Sequence, residues 1–555
     1  MRHIKAVADL AQNSLFDSAA LDAASWWVTD LGDSARRRLD EGWHGIFRRS
    51  LLHLMPVQQL GEHFDASWGR PTKELHAMAA LVFIMEFKNW TNEDAVDAYT
   101  FDNAIHFALN LSNRRNYLCT RTLESYRALM RDDEAAGSVF MEVTRTLVEA
   151  LKIDIGKQRL DSTHLLSDMA CFGRTKLLAV AVKRLLTALK RHVAPSFEAL
   201  SVELRERYEP AIGRLFGETG TNKELRAQAK QQIAQDMHLL IERFADDASI
   251  NTRSTYQALV RLFGEHCELV GNAIEVRSKS QDAQGQSAHA MQNPSDPDAG
   301  YSGHKGAGYQ VQLSETSDVE NPVQLVVACV PQSAGDQDAD ALPPVLEQLT
   351  QQQMQPRELA ADSAYGSDEN HQQAQSQGIE LISPVRGNTP KEGHAGKQAK
   401  QDATAPLKPH GHSQATEQSQ ARQERARRLA QRREEQQSEE WREKYRRRAG
   451  IESLNRGLDR RTGIKQLRVR GMKAVKHSVY AKVMGWNIIQ SARAIRRLAK
   501  EERKRVKAAV ERGSEPIARE CREMTQHLLR SLAGVKQYMS RLCGRLAPAS
   551  LTTAT

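Results

Sequence analysis

The chain has 555 residues, 40% of them hydrophobic, with a mean hydropathy of −0.58 and a formal net charge of +9. That length suffices for several domains and at least one sizeable core, and the charge is divided unevenly: residues 421–555 carry +21, leaving −12 on residues 1–420. A basic end on a mildly acidic body points to a polyanionic partner, nucleic acid before membrane, since the longest apolar run, Ala77–Met85, falls far short of the ~18 residues that cross a bilayer.

Residues 1–20 have scattered charges and no apolar block, so no secretory signal is expected. Six cysteines (Cys119, Cys171, Cys267, Cys329, Cys521, Cys543) are widely separated and form no C-x-x-C, which suits a reducing cytosol without structural zinc or a disulfide framework. Residues 1–150 read as a helical N-terminal domain. "RPTKELHAMAALVFIMEF" places Pro71 near a first helical turn, "NWTNEDAVDAY" restarts a helix with Thr91 as N-cap, and residues 120–133 form a third. Short helices with tight breaks fit a reader of DNA ends and a plain helical bundle equally.

"KQRLDSTHL" reads as a strand ending in Asp161, and a long helical insertion follows over 176–291, with helix over about 176–275. "QNPSDPDAGYSGHKGAGYQ" (292–310) is loop chemistry; Lys305 sits there between glycines, but no P-loop pattern is present. Strands are expected at 309–315 and 323–330, a helix over "ADALPPVLEQLTQQ", a strand at 357–362 ending in Asp362, a helix closing on Gly378, and a fifth strand at 379–385. Residues 386–440 are poor in apolar side chains and read as a polar linker passing into a charged helix from about 420, with His394, His410 and His412 solvated. Helix resumes over 439–461 and 474–511, and residues 501–555 form a basic helical tail. The fold class is α/β: residues 151–175 and 292–500 form a mixed five-stranded sheet with flanking helices, interrupted after its first strand by the insertion.

Three acids fall at informative places. With the first and fourth strands as neighbours, Asp161 and Asp362 lie side by side, and the helix after the fifth strand can bring Glu452 toward them. Three hard oxygen donors suit Mg²⁺ or Mn²⁺, and a pair of such ions about 3.5–4 Å apart can activate a hydroxyl and stabilise a leaving oxygen in phosphoryl displacement. Each acid also has a plainer reading. Asp161 can cap a turn, Asp362 can form an Asx-turn before Gly366, and Glu452 can pair with Arg448 one helical turn earlier for about 0.3–0.5 kcal/mol. On an unbroken helix Tyr445, Arg448, Glu452, Arg456 and Asp459 share one face, opposite Ile451, Leu454 and Leu458. Arg448 is the candidate phosphate clamp, because a guanidinium fork matches phosphate oxygens. His164, His304 and His477 could bond a phosphate or serve as structural histidines. Basic residues from Lys465 onward suit DNA backbone or a solvated face.

"RLDST" with Asp161, "ADSAYG" with Asp362, Tyr365 and Gly366, and "YRRRAGIE" with Tyr445, Arg448 and Glu452 resemble bacterial insertion-sequence transposases of the Asp-Asp-Glu class, in the branch whose glutamate helix carries Tyr-x2-Arg-x3-Glu. "NPSDPDAGYSGHKGAGYQVQ" resembles that family's segment ahead of its second strand, and the likeness runs over about residues 40–500. Two departures stand out: Asp459 replaces the usual basic residue seven beyond the glutamate, with Arg460 and Arg461 next, and residues 386–440 lack the cysteines of many relatives. The resemblance implies a ribonuclease H-like catalytic domain in which Asp161, Asp362 and Glu452 hold two Mg²⁺ ions, with Mn²⁺ able to substitute. It implies DNA contacts through Tyr445, Arg448, Arg456, Arg460, Arg461, Lys465, Arg468, Arg470 and Lys473. The implied partner is double-stranded DNA, as terminal inverted repeats and target, bound by a homodimer or higher homo-oligomer in the cytoplasm at the nucleoid. The implied reaction is cleavage at the element ends followed by strand transfer. A nuclease without strand transfer and a catalytically idle DNA-binding derivative are the alternatives.

Overall fold

The computed structural model describes residues 4–5, 31–65, 67–111, 116–170, 172–271, 273–277, 289–385 and 414–511. The expected linker segment 386–413, with its three histidines, and the tail beyond 511 lie outside these residues. The four longest of the described N-terminal helices are α1 (Leu75–Lys88), α2 (Asn92–Phe101), α3 (Thr120–Asp132) and α4 (Ala136–Leu151). α1 begins later than Pro71 suggested, because the Glu74 carboxylate caps it by accepting from the His76 and Ala77 amides. Every residue from Leu75 to Phe87 is buried, as an all-round apolar helix requires, and Asn89 ends it in the left-handed region at φ 56°. α2 carries the expected Thr91 cap, completed as a capping box by Asp94.

β1 spans Lys157–Leu165, so the first strand does not end at Asp161 but continues for four residues beyond it. Antiparallel pairing carries it on, from Gln158 opposite Thr316 to Leu165 opposite Tyr309. The insertion contains α5 (Arg174–His192), α6 (Lys223–Phe244) and α7 (Ser254–His266), packed around its own core of Leu178, Val182, Leu185, Ile233, Met237 and Leu259. Helix was expected up to about residue 275, but β2 (Cys267–Val270) and β3 (Ala273–Val276) form a hairpin there, with Gly271 at φ +62° in the turn. β4 (Gly300–Ser302) adds an unforeseen strand in the segment read as loop. Then come β5 (Gly306–Thr316), β6 (Val326–Ser333), α8 (Leu342–Gln351), β7 (Glu358–Ala360), α9 (Asp368–Ser376) and β8 (Glu380–Ile382). The sheet therefore has six strands rather than five, in the order β8-β7-β1-β5-β4, with β6 also on β5. β7 lies parallel to β1 and to β8, and β5 is antiparallel to β1, β4 and β6, so the expected adjacency of first and fourth strands holds.

Helix α10 (Gln414–Glu435) is the charged helix expected from about 420 and starts several residues earlier, fixed by Arg428 and Arg432 on the buried Asp368 carboxylate at 2.7 and 2.5 Å. The single helix expected over 439–461 is two helices, α11 (Glu439–Arg446) and α12 (Ile451–Thr462), joined by a 3₁₀ turn at Arg447–Gly450. The long helix α13 (Met472–Glu511) closes the described chain. None of the described helices is long and apolar enough to cross a membrane.

One face of the sheet packs on α8 and α9 through Leu160, Val327, Leu346 and Leu381. On the other, Val311, Leu313 and Val326 share a core with α1, α4, α12 and α13. Inside that core Glu86 joins three helices: Arg127 reaches it at 2.9 Å, Ser478 Oγ donates to it at 2.7 Å, and Lys482 donates to its backbone carbonyl at 2.9 Å. His477 is also buried there, stacked on Phe83 with ring centroids 5.5 Å apart, so it is a core residue and not a phosphate ligand. Burial pushes its pKa down to about 4; Glu86 opposes the shift, while Arg131 and Arg127 add to it. Because the unfolded value is about 6.5, the unfolded chain takes up a proton that the folded chain refuses as the pH falls from 6.5 toward 4. Stability through this residue is therefore lost on acidification, by about 2 kcal/mol at pH 5. His477→Phe is expected to remove that share of the loss, measured as the difference between urea midpoints at pH 7 and pH 5.

Candidate active site

The parallel ladder between β1 and β7 ends at Arg159 opposite Ala360. Two residues further along each strand direction lie Asp161 and Asp362, so the ladder itself delivers two carboxylates to one crevice. Asp362 lies past its strand and caps a 3₁₀ turn, its carboxylate accepting from the Ala364 amide at 2.9 Å. The Asx-turn reading and the paired-carboxylate reading thus hold together. The Arg448 guanidinium stands between the two acids, with one nitrogen 3.6 Å from Asp161 Oδ1 and 3.6 Å from Asp362 Oδ2. Burial raises the pKa of Asp161, Arg448 opposes the rise and the Asp362 charge adds to it. The two carboxyl groups thus share one guanidinium.

The turn that carries Arg448 is held from three sides. Arg447 pairs with Glu358 on β7, and Lys444 reaches Glu380 on β8 at 3.0 Å. From β1, Arg159 donates to the Arg447 carbonyl at 3.3 Å while its Nε binds Glu315 at 2.7 Å. Gly450 is needed for this approach: a Cβ there would lie 1.7 Å from Arg159 Nη1. Tyr445 is half-buried, stacked on Trp441 at 4.9 Å, and its pKa is raised by burial against the opposing charge of Arg448.

The 3₁₀ turn also changes which residue of α12 faces the aspartates. Four residues at 3.0 per turn advance about 80° further than at 3.6 per turn. The common face expected for Tyr445, Arg448, Glu452 and Arg456 is therefore broken. Asn455 Nδ2 donates to Asp161 Oδ2 at 3.2 Å, while Glu452 is exposed on the first turn of α12. Among the described residues, no three His, Cys, Asp or Glu side chains are grouped closely enough to share a metal. The structure thus joins Asp161, Asp362, Arg448 and Tyr445, and leaves the Glu452 carboxylate outside that group. Arg448 has the two aspartates as partners, so the intrahelical pair with Glu452 is not what occupies it.

The basic candidates follow. Arg456, Arg460, Arg461, Lys465 and Arg468 are exposed along α12 and the segment after it. That segment is pinned beside the end of β1, where the Leu166 amide donates to the Lys465 carbonyl at 2.8 Å and the Leu467 amide to the Leu166 carbonyl at 2.8 Å. Arg470 is matched by Asp168 at 3.1 Å and Lys473 by Glu134 at 3.1 Å, so both charges have acidic partners. The departure at Asp459 has a local use, since its carboxylate accepts from the Lys465 amide at 3.1 Å. Near the crevice, Lys305 Nζ donates to Ser162 Oγ at 3.0 Å and Ser162 to Asp338 at 3.2 Å. Sequence reading missed Asn455, Asp338 and the Arg159–Glu315–Gly450 support. The glycine inside a helical pattern at 450 was the one signal for the last.

Residues 280–488 match a family model described as a transposase DDE domain. The match includes Asp362, Arg448 and Glu452; Asp161 precedes it. No curated protein and no solved structure matches the chain. The family match supports a DDE-type transposase, and with it DNA as the substrate. The mixed sheet with helices on both faces is compatible with the ribonuclease H-like fold of such domains.

Proposed function

We propose that the chain is an insertion-sequence transposase of the Tyr-x2-Arg-x3-Glu branch, which cleaves DNA at the ends of its own element and transfers the freed 3′-hydroxyls to target DNA. The observation that carries this reading is the Asp161–Asp362 pair just beyond the β1–β7 parallel ladder, bridged by a cation. A donor set of two carboxylates fits Mg²⁺ or Mn²⁺, which prefer carboxylate and phosphate oxygens, and the guanidinium between them marks the place as one that takes positive charge. Asp161 and Asp362 would hold the metal, two ions in all, with Glu452 as the third carboxylate. Bound metal would lower the pKa of the attacking hydroxyl and stabilise the leaving oxygen. Arg448 would grip a phosphate as the scissile strand enters, and Tyr445 would orient it. Arg456, Arg460, Arg461, Lys465 and Arg468 form an exposed row suited to the backbone on either side, with Arg470 and Lys473 joining once their acidic partners yield. The protein would act as a dimer or larger assembly on double-stranded DNA, in the cytoplasm.

The test is nicking of DNA carrying the terminal repeats of the element, in Mg²⁺ against Ca²⁺. Cleavage in Mg²⁺ that disappears in Asp161→Ala and in Asp362→Ala, while DNA binding persists, is the expected result. Cleavage undiminished in both variants would refute the metal site. Adding target DNA then distinguishes strand transfer from simple nuclease activity, since only the former joins the two molecules.

A further inference from the structure

The insertion takes no part in the site above, yet a cavity of about 1040 Å³ opens at its base. The lining comes from the start of α5, from the segment 213–220, from α6 and from the end of the β2–β3 hairpin. Five cations line it (Arg174, Lys176, Arg226, Lys230 and Arg277), and among the described lining residues Glu275 is the only carboxylate. Three of these cations donate to backbone carbonyls. Arg174 donates to the Arg277 carbonyl at 2.7 Å, Lys176 to the Gly213 carbonyl at 3.4 Å and Arg226 Nε to the Gly220 carbonyl at 2.8 Å. Arg277 has a carboxylate partner, Glu268, at 3.5 Å.

Some exposed cations elsewhere are matched by acids, as Arg470 is by Asp168 and Lys473 by Glu134. Here carbonyls fix Lys176 and Arg226, and among the described residues no carboxylate forms an ion pair with Lys176, Arg226 or Lys230. The field reaches inward: His266, buried nearby, has its pKa lowered to about 4, first by burial and then by Arg174 and Arg277. The volume far exceeds one phosphate group, and a pocket for a small organic ligand is mostly apolar, whereas five cationic side chains line this one. An extended polyanion fits both facts.

We propose that this cavity grips the phosphodiester backbone of duplex DNA, making the insertion a second DNA-holding module beside the catalytic crevice. The inference rests on the reading of the chain as a DNA-acting protein. Such contacts are independent of base sequence and appear as salt dependence, with log K falling by about 0.9 per phosphate neutralised for each unit of log salt.

The experiment measures the affinity of full-length protein for a random-sequence duplex across a salt series in EDTA. It compares wild type, the cavity variant K176Q/R226Q/K230Q, and a control with the same charge removed elsewhere on the insertion, R191Q/K223Q/R253Q. The cavity variant is expected to flatten the salt slope by about 2–3 and to weaken binding at least about tenfold at low salt. The control is expected to keep the wild-type slope. An unchanged slope in the cavity variant, or an equal loss in the control, would overturn the proposal. If thermal unfolding shows the triple variant misfolded, Lys230→Gln alone is read instead, with an expected slope change of about 1. Because EDTA removes the chemistry, this result stands or falls separately from cleavage. An inactive Asp161→Ala protein with the wild-type slope would leave the cavity reading intact.

Discussion

Glu452→Gln is expected to lower Mg²⁺-dependent cleavage by about a thousandfold or more while leaving DNA affinity within a few-fold of wild type. The substitution keeps size and helix propensity and removes only the charge. Glu452 is exposed, and removing an unengaged surface charge costs at most about 0.5 kcal/mol of stability, so a folding defect cannot imitate the effect. A third carboxylate on a catalytic metal accounts for several kcal/mol of transition-state stabilisation, and about 4 kcal/mol corresponds to a thousandfold. Arg448 sits between Asp161 and Asp362, so on the proposed metal reading loading would exchange a single positive charge for a larger one, and Glu452 would supply the balancing negative charge. A change of less than about twofold would remove Glu452 from the site and leave the aspartate pair with Asn455 as its helix-borne neighbour.

Gly450→Ala is expected to cost about a hundredfold in cleavage, the typical effect of displacing a catalytic group by about 1 Å. The methyl group would fall 1.7 Å from Arg159 Nη1, far inside contact distance. Either the turn or the arginine must move. Arg159 is tied to Glu315, which is buried, so displacing it strands a carboxylate in the interior. The turn gives way first and takes Arg448 from the two aspartates. Measured as kcat and KM separately, the loss should fall mainly on kcat. Wild-type turnover in Gly450→Ala would show that the contact is slack and the turn is not what positions Arg448.

Much of this was legible in the sequence because short-range physics specifies it. The Thr91 cap, the all-round apolar run of α1 and the order of strands around Asp161 and Asp362 depend on neighbours within a few residues. The pairing of β1 with β7 is only a supposition from the sequence, prompted by an acid near each strand, and the parallel ladder bears it out. What escaped depends on distant partners. Asp161 is internal to its strand because β5 continues to pair beyond it, which no local pattern records. The helix through 446–450 breaks because Arg159, almost 300 residues earlier, occupies the space beside Gly450. With that break in the helix, Asn455 reaches Asp161 while Glu452 stays exposed, a difference from the expected common face. The Gly271 turn was visible as a residue type but was outweighed by the helical texture around it.

The anchoring of Glu86 by Ser478 and Lys482 has a consequence for how the protein is made. The partners lie 392 and 396 residues apart in the chain. During synthesis the apolar helix α1 leaves the ribosome long before α13 exists to cover it. The N-terminal half therefore waits, with its most hydrophobic surface uncovered, until most of the message has been read. A messenger cut short yields a fragment without its covering helix, exposed to proteases and prone to aggregate. Only a product translated through α13 buries that surface, so the architecture rewards complete translation.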